Sequence, residues 1–329
     1  MRRAPVELVH GEVHVAGSGL FLDARRRRPC AFVSHAHSDH LGRHDRTIAT
    51  AATAALARHR LGERARGEVL PAAYRSPFGL GDLTLELLPA GHVLGSAQLR
   101  VTDRAGVTIG YTGDLCLEPT ETAEPAEVLG CDVLLIESTF GLPRYVFPPK
   151  EEVLLQVRRF VDDTLSDGAT PVLLGYSLGK AQEILKHLGE RGYACRAHPA
   201  VHALNRIYEE QGVPLPNVRP LGPEGAQRDE VVVAPPHLQR SAALWRLRRK
   251  RTAILTGWAV DGLQRFRSVD AAFPLSDHAD FPSLIRYAKE TGASRVYTLH
   301  GHAEPLARAM RREGLRADPL VAEAQLELL

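Results

Sequence analysis

Apolar residues in the first part of the chain recur in short runs that are typical of β-strands. Residues 6–9 and 12–15 are predicted to form a hairpin around His10-Gly11, and the alanine-rich stretch 50–61 is predicted to be a helix. Further strands are predicted over 19–23, 30–33, 83–88, 97–102, 107–112 and 132–136. The chain up to about residue 140 is therefore predicted to consist mainly of β-sheet.

From about Pro148 onward, apolar residues with helical spacing alternate with short apolar runs. One helix is predicted from Pro148-Pro149, which suit a helix start, to Gly168, which suits a helix end. Strands are predicted near 171–175, 194–197, 231–234 and 252–257, with helices near 180–190, 200–211 and 238–248. This alternation predicts a parallel sheet covered by helices, with 213–225 as its longest loop. A helix over 281–291, a strand over 295–299 and a further helix are predicted to follow.

Side chains that commonly bind metal ions follow the ends of several predicted strands. The densest group is the run 34–40, Ser-His-Ala-His-Ser-Asp-His. Imidazole and carboxylate groups together suit Zn²⁺ or a similar divalent ion. Because His35 and His37 point the same way from an extended segment, while Asp39 and His40 lie beyond it, the spacing indicates two metals. Other candidates at the ends of segments are Asp23, His92, Asp114, Glu137, His278 and His300.

The alternative interpretation is that these side chains are ordinary turn residues, and a single His-x-His pattern would favour it. The full pattern is much harder to obtain by chance. Residues 175–180, Gly-Tyr-Ser-Leu-Gly-Lys, are one residue short of a P-loop and have no Ser or Thr after the lysine. A Mg-nucleotide site is therefore not predicted there. Ser177 and Lys180 are instead candidates for binding a plain phosphate at a strand-to-helix turn.

Composition is that of a globular protein, with 44% hydrophobic and 24% charged residues and a formal net charge of +2. Global charge therefore does not indicate nucleic acid, although the basic runs 25–28 and 246–251 could contact phosphates as well as solvent. The four cysteines show no paired spacing and are predicted to be reduced. No apolar run reaches the length of about 18 residues that a membrane helix needs. We therefore predict a cytoplasmic protein without membrane contact.

Together these residues resemble the motifs of the metallo-β-lactamase superfamily, in its nucleic-acid-processing β-CASP branch. The run 34–40 is similar to the main motif of the superfamily, and Asp23, His92 and Asp114 fall where its first, third and fourth motifs fall. The branch motifs A, B and C are matched by Glu137, His278 and His300, and its Gly-Arg/Lys-x-Gln-Glu turn by 177–183.

This resemblance covers nearly the whole chain, and it is greatest to bacterial ligase-associated DNA exonucleases. It implies an α/β fold, in which an αββα metallo-β-lactamase sandwich is formed by residues 1–143 and 270–329. An α/β β-CASP domain, residues 144–269, is inserted into this sandwich. The resemblance also implies two divalent metal ions, zinc or alternatively manganese. His35, His37 and His92 would bind the first ion, Asp39, His40 and His300 the second, and Asp114 both.

The implied catalytic residues are Asp39, His278 and Glu137. His278 would donate a proton to the leaving oxygen, Glu137 would hold the His278 ring, and Asp23 would orient a ligand histidine. The implied activity is a two-metal nuclease, with a DNA exonuclease in DNA repair as first choice and a DNA ligase/helicase repair system as partner. A histidine at motif C is usual in RNA-processing members, so an RNA-processing nuclease stays open. A small-ester metallo-hydrolase is the third alternative, and it fits poorly with so large an insertion.

Overall fold

The computed structural model describes residues 6–62, 67–263, 266 and 268–320. Within these residues, the first sheet has six strands that follow each other in chain order. They are β1 (Val6–Val9), β2 (Glu12–Val15), β3 (Leu20–Leu22), β4 (Cys30–Phe32), β5 (Arg46–Ala49) and β6 (Glu68–Pro71). The first three strands pair antiparallel, and the pairs from β3 to β6 are parallel. The helix α1 (Ala51–Leu61) follows β5, and the Thr50 hydroxyl caps it by accepting from the Thr53 amide at 3.1 Å.

The second sheet has seven described strands. They are β7 (Phe78–Leu80), β8 (Leu83–Pro89), β9 (Ala97–Thr102), β10 (Thr108–Tyr111), β11 (Val133–Glu137), β18 (Arg295–Leu299) and β19 (Ala317–Pro319). In space they run β19-β18-β11-β10-β9-β8-β7. The chain leaves this sheet after β11 and returns at β18, which pairs parallel to β11. Residues between these two strands are therefore inserted between neighbouring strands of one sheet.

The inserted residues form a third sheet, whose described strands all pair in parallel in the order β14-β13-β15-β12-β16-β17. These strands are β12 (Thr170–Leu174), β13 (Ala194–Ala197), β14 (Val218–Pro220), β15 (Glu230–Ala234), β16 (Lys250–Leu255) and β17 (Ala271–Phe273). The accompanying helices are α2 (Lys150–Ser166), α3 (Lys180–Gly189), α4 (Pro199–Glu210) and α5 (Ala242–Trp245). The predicted parallel sheet with helical cover is present.

Separate hydrophobic cores hold these layers together. Between the first two sheets, Phe32 and Ile48 from one sheet pack with Leu99 and Leu135 from the other. The opposite face of the second sheet packs against α6 (Phe281–Glu290) and α7 (Ala303–Arg312), through side chains such as Leu134, Ile136, Leu284, Tyr287, Leu306 and Met310. With α1 on the outer side of the first sheet, the order of layers is αββα. The predicted α/β sandwich with an α/β insertion is confirmed.

Some elements differ from the prediction. Over 238–248 the helix is only Ala242–Trp245, because just Leu244 and Leu247 are buried there and the basic residues that follow lead into β16. The predicted loop 213–225 contains β14, and β5, β6, β7, β17 and β19 were also missed. These strands have three or four residues each, too few for a clear alternating pattern.

The predicted domain boundaries, 143/144 and 269/270, stay a prediction, and β17 on the far side of the second boundary pairs with β16 of the third sheet. None of the described helices combines the length and apolar character that a bilayer crossing requires.

Candidate metal centre

Asp23 fixes the position of the histidine-rich loop. It follows β3 with a positive φ of 45°, and its carboxylate accepts hydrogen bonds from the Ser34 amide at 2.7 Å and the Ser34 hydroxyl at 2.6 Å. The same carboxylate accepts from the Tyr111 hydroxyl at 2.8 Å and from His40 Nδ1 at 2.7 Å. Burial opposes ionisation of Asp23, but the nearby His40 and the Ser34 hydrogen bonds outweigh it and lower the pKa. Asp23 thus orients His40, with Nε2 left to face the centre.

Four donor atoms from three separate segments lie together beneath this loop. They belong to His35, His37, His92 and Asp114, and all lie within 4.8 Å of one another. His37 Nδ1 is 3.1 Å from His35 Nε2 and 3.0 Å from His92 Nε2. Asp114 Oδ2 is 3.4 Å from His35 Nε2 and 3.6 Å from His92 Nε2. Ligands of a tetrahedral zinc ion, each about 2.0–2.1 Å from the metal, are roughly 3.3 Å apart. The spacing therefore fits a first-row divalent ion.

The other ring nitrogens of these histidines are already engaged. His35 Nδ1 lies 3.0 Å from the Ser34 hydroxyl, which itself donates to Asp23. His37 Nε2 lies 3.2 Å from the Leu178 carbonyl oxygen, and His92 Nδ1 lies 2.6 Å from that of Asp277. With N–H groups donated outward, each ring presents a lone pair to the shared centre. Burial lowers the pKa of His35 and His92 well below the ordinary value and that of His37 to about 4. Neutral imidazole is the form that binds a metal.

The second predicted donor set is less tightly gathered. His40 Nε2 lies 3.5 Å from Asp114 Oδ2 and 3.7 Å from Asp39 Oδ2. His300 follows β18 in a left-handed conformation, with its ring centroid 5.7 Å from that of His40. Among the described residues, the close donor groups include neither Asp39, whose side chain is 69% exposed, nor His300. Burial alone would lower the pKa of His40, but Asp114 and Asp23 raise it to about 10. This corner therefore favours positive charge, as a cation site requires.

His278 and Glu137 form a hydrogen-bonded pair beside Asp114. His278 Nδ1 is 3.0 Å from Glu137 Oε1, and its Nε2 is 3.9 Å from Asp114 Oδ2. Glu137, at the end of β11, is fully buried and also accepts from the Leu115 amide at 2.7 Å. Burial would lower the pKa of His278, but Glu137 and Asp114 raise it to about 9. This shift favours the imidazolium form, which can donate a proton from Nε2.

Comparison with known proteins agrees with this geometry, although no family model matches the chain. A probable DNA ligase of Opitutus terrae is 41% identical over 324 residues, 98% of this chain and 32% of that relative. A protein of Acidianus ambivalens, described as an uncharacterized protein in lig 3′ region, is 33% identical over 120 residues, 36% of this chain and 81% of the relative. The RNase aCSPSF2 of Saccharolobus solfataricus is 32% identical over 123 residues, 36% of this chain and 24% of the relative.

The chain belongs to the β-CASP branch of the metallo-β-lactamase superfamily. The predicted membership is confirmed. The chain spans about a third of the length of the ligase relative that it matches.

The insertion of this β-CASP protein contacts the candidate metal ligands through the turn before α3. The Leu178 carbonyl accepts from His37, and the Lys180 ammonium lies 2.6 Å from Asp277 Oδ1. Lys180 is 1% exposed, so its charge is neutralised inside the protein by a carboxylate. A role of Lys180 in binding phosphate stays a prediction, and in the structure its ammonium already has a carboxylate partner. Ser177 is half-buried and lines the cleft.

The metal donors open into a cleft of about 620 Å³ between the sandwich and the insertion. Its floor is the loop 37–40, and the insertion contributes Tyr176, Ser177 and Trp258 to the walls. Three contacts of this β-CASP centre were not predicted: Tyr111 on Asp23, the Leu178 carbonyl on His37, and Lys180 on Asp277. Each joins residues distant in sequence, so no local pattern could have indicated it.

Proposed function

We propose that this protein is a metal-dependent nuclease that hydrolyses phosphodiester bonds. The observation that carries the proposal is the His278–Glu137 pair, a held proton donor whose Nε2 lies 3.9 Å from the carboxylate shared by the candidate metal donors. A proton donor beside metal-activated water assists the departure of the leaving oxygen. The membership of the β-CASP branch and the relative named as an RNase support the same chemistry.

In this proposal His35, His37 and His92 hold one zinc ion, Asp39, His40 and His300 hold a second, and Asp114 contributes to both. Manganese is the alternative metal. When bound, two such cations make water nucleophilic at neutral pH and neutralise charge on the phosphoryl oxygens.

The chain's own residues then complete the proposed reaction. Asp23 holds the His40 ring through its 2.7 Å hydrogen bond, which keeps Nε2 aimed at the centre. His278 donates the proton on Nε2 to the leaving oxygen, and Glu137 accepts from Nδ1 so that the ring stays in place. Asp39 lies at the exposed edge of the cleft.

We propose DNA as the favoured substrate and a role in DNA repair beside a ligase/helicase system. The support is the relative named as a probable DNA ligase, in which a region matches 98% of this chain. RNA is the second candidate, because His300 stands at motif C and the relative from Saccharolobus solfataricus is named as an RNase.

A single degradation assay tests the proposal. The purified chain is incubated with single-stranded DNA, double-stranded DNA and RNA, labelled at either end, in Zn²⁺ or Mn²⁺. Cleavage of DNA that EDTA abolishes is expected, and His92→Ala or His278→Ala should lose it. His10→Asn, in an exposed turn with a positive φ of 54° that Asn tolerates, is the matched control. Cleavage that survives EDTA would contradict the metal mechanism, and RNA turnover far above DNA turnover would overturn the substrate.

A further inference from the structure

A second, more open groove adjoins the metal cleft on the side of the first sheet. It has a volume of about 780 Å³, and among the described residues its charged lining consists of Arg25, Arg27, Arg43 and Asp45. Arg25 lines both this groove and the metal cleft, so the two adjoin at this side chain. We call it the Arg25–Arg43 groove.

The groove is built on two loops that begin at the metal centre. The loop 24–28 starts directly after Asp23, and the loop 41–45 starts directly after His40, which is bound to Asp23. The Asp45 amide donates to the Arg28 carbonyl at 2.9 Å. A Cβ on Gly42 would lie 2.4 Å from the Ala24 carbonyl oxygen, so these loops pack backbone against backbone. The guanidinium groups therefore extend from a fixed floor.

Two guanidinium groups of the groove have no internal partner. Arg27 donates to Asp45 at 2.8 Å, so that pair is nearly neutral. Arg25 and Arg43 are exposed, and within the described part of the chain their side chains make no ion pair or hydrogen bond. Uncompensated arginines in a groove that adjoins the metal cleft suit a polyanion, because guanidinium binds phosphate oxygens in a fixed geometry.

We propose that the Arg25–Arg43 groove binds the phosphate backbone of single-stranded nucleic acid beyond the bond in the metal cleft. This rests on the nuclease function proposed above. One strand is proposed over a duplex because the two uncompensated guanidinium groups lie in one groove, which offers positive charge to a single phosphate backbone. Among the described residues, the groove lining contains no Phe, Tyr or Trp on which a base could stack, so the binding is expected to be independent of sequence and sensitive to salt.

Fluorescence anisotropy with phosphorothioate oligothymidylates measures this binding on metal-loaded protein. The variant is Arg25→Gln/Arg43→Gln, and the control is Arg286→Gln/Arg312→Gln on α6 and α7, where both residues are exposed and line neither the groove nor the cleft. Each phosphate contact on a single strand adds about 0.7 to the slope of log K against log salt. The groove variant should therefore lose about 1.4 from the slope. From 50 to 200 mM salt, its affinity should fall about sevenfold less than that of the wild type.

The loss should appear with a 20-nucleotide strand and vanish with a dinucleotide, which occupies only the cleft. A slope that is unchanged, or reduced equally in the control, would overturn the proposal, and a larger loss with a duplex would overturn the single-strand assignment. Binding needs no turnover, so the two proposals fail separately. If the protein is inactive but the groove variant shows the expected change in salt slope, only the nuclease proposal is refuted. If the protein is an active nuclease but the slope does not change, only the groove proposal is refuted.

Discussion

The Lys180–Asp277 ion pair joins the insertion to the metal centre, and removing its positive charge should damage both stability and metal binding. The Lys180 ammonium and Asp277 Oδ1 are 2.6 Å apart, and the two residues are 1% and 5% exposed. Asp277 Oδ2 has no hydrogen-bond partner within the described residues. In Lys180→Met the carboxylate would stay buried without its counter-charge, which costs about 3–5 kcal/mol when a buried pair is broken.

Metal affinity should fall in the same variant. The Asp277 backbone carbonyl accepts the hydrogen bond that orients His92, so a displaced Asp277 releases a ligand ring. Loss of such support typically costs about 10–100-fold in metal affinity. Urea unfolding gives the free energy of unfolding, and competition with a chromophoric chelator gives the zinc affinity.

Two further variants test whether the loss comes from the unpaired charge of Asp277. Lys186→Met, in the same helix, breaks a more exposed pair with Glu190 and should cost less than about 1 kcal/mol. Lys180→Met/Asp277→Asn removes both charges and should recover part of the lost stability. If Lys180→Met unfolds at wild-type urea concentrations and binds zinc normally, the ion pair does not support the metal centre.

Three other changes have defined outcomes. Glu137→Gln removes a carboxylate that helps to raise the pKa of His278 to about 9. The alkaline limb of the pH profile of kcat/KM should therefore move to lower pH, and an unmoved limb would show that His278 is not the proton donor. Tyr111→Phe removes one of the donors to Asp23 and should cost about 0.5–1.5 kcal/mol in urea unfolding, with no change in the wild-type fold by circular dichroism; no cost at all would contradict the hydrogen bond. Gly42→Ala should cost about 1–3 kcal/mol, because its Cβ would meet the Ala24 carbonyl, whereas Gly79→Ala, with open space around it, should be close to neutral; equal effects would contradict the packing of the groove floor.

The sequence allowed the main layers and the donor residues to be predicted because both depend on local patterns. Strand β11 is a run of buried apolar residues that ends at Glu137, and β10 alternates polar and apolar residues and is soon followed by Asp114. Short edge strands were missed because they bury little: β6 has no fully buried residue, and β14 has none either. Without a buried face, a strand leaves no alternation to detect.

The supporting contacts of the centre were beyond local patterns. Lys180 follows a strand-to-helix turn that would equally suit a phosphate, and its partner Asp277 lies 97 residues further along the chain. The hydroxyl that supports Asp23 comes from Tyr111, 88 residues away. The packing of the insertion against the sandwich decides whether Lys180 meets a phosphate or Asp277. This partner therefore became visible only in the structure.

Metal titration of chelator-treated protein, with cleavage of an end-labelled DNA strand followed at each addition, tests the central claim most directly. We predict that activity returns as two equivalents of Zn²⁺ or Mn²⁺ bind, and that His92→Ala abolishes both the tight binding and the cleavage. Full cleavage before any metal is added, or two tightly bound ions without cleavage of any nucleic acid, would contradict the account.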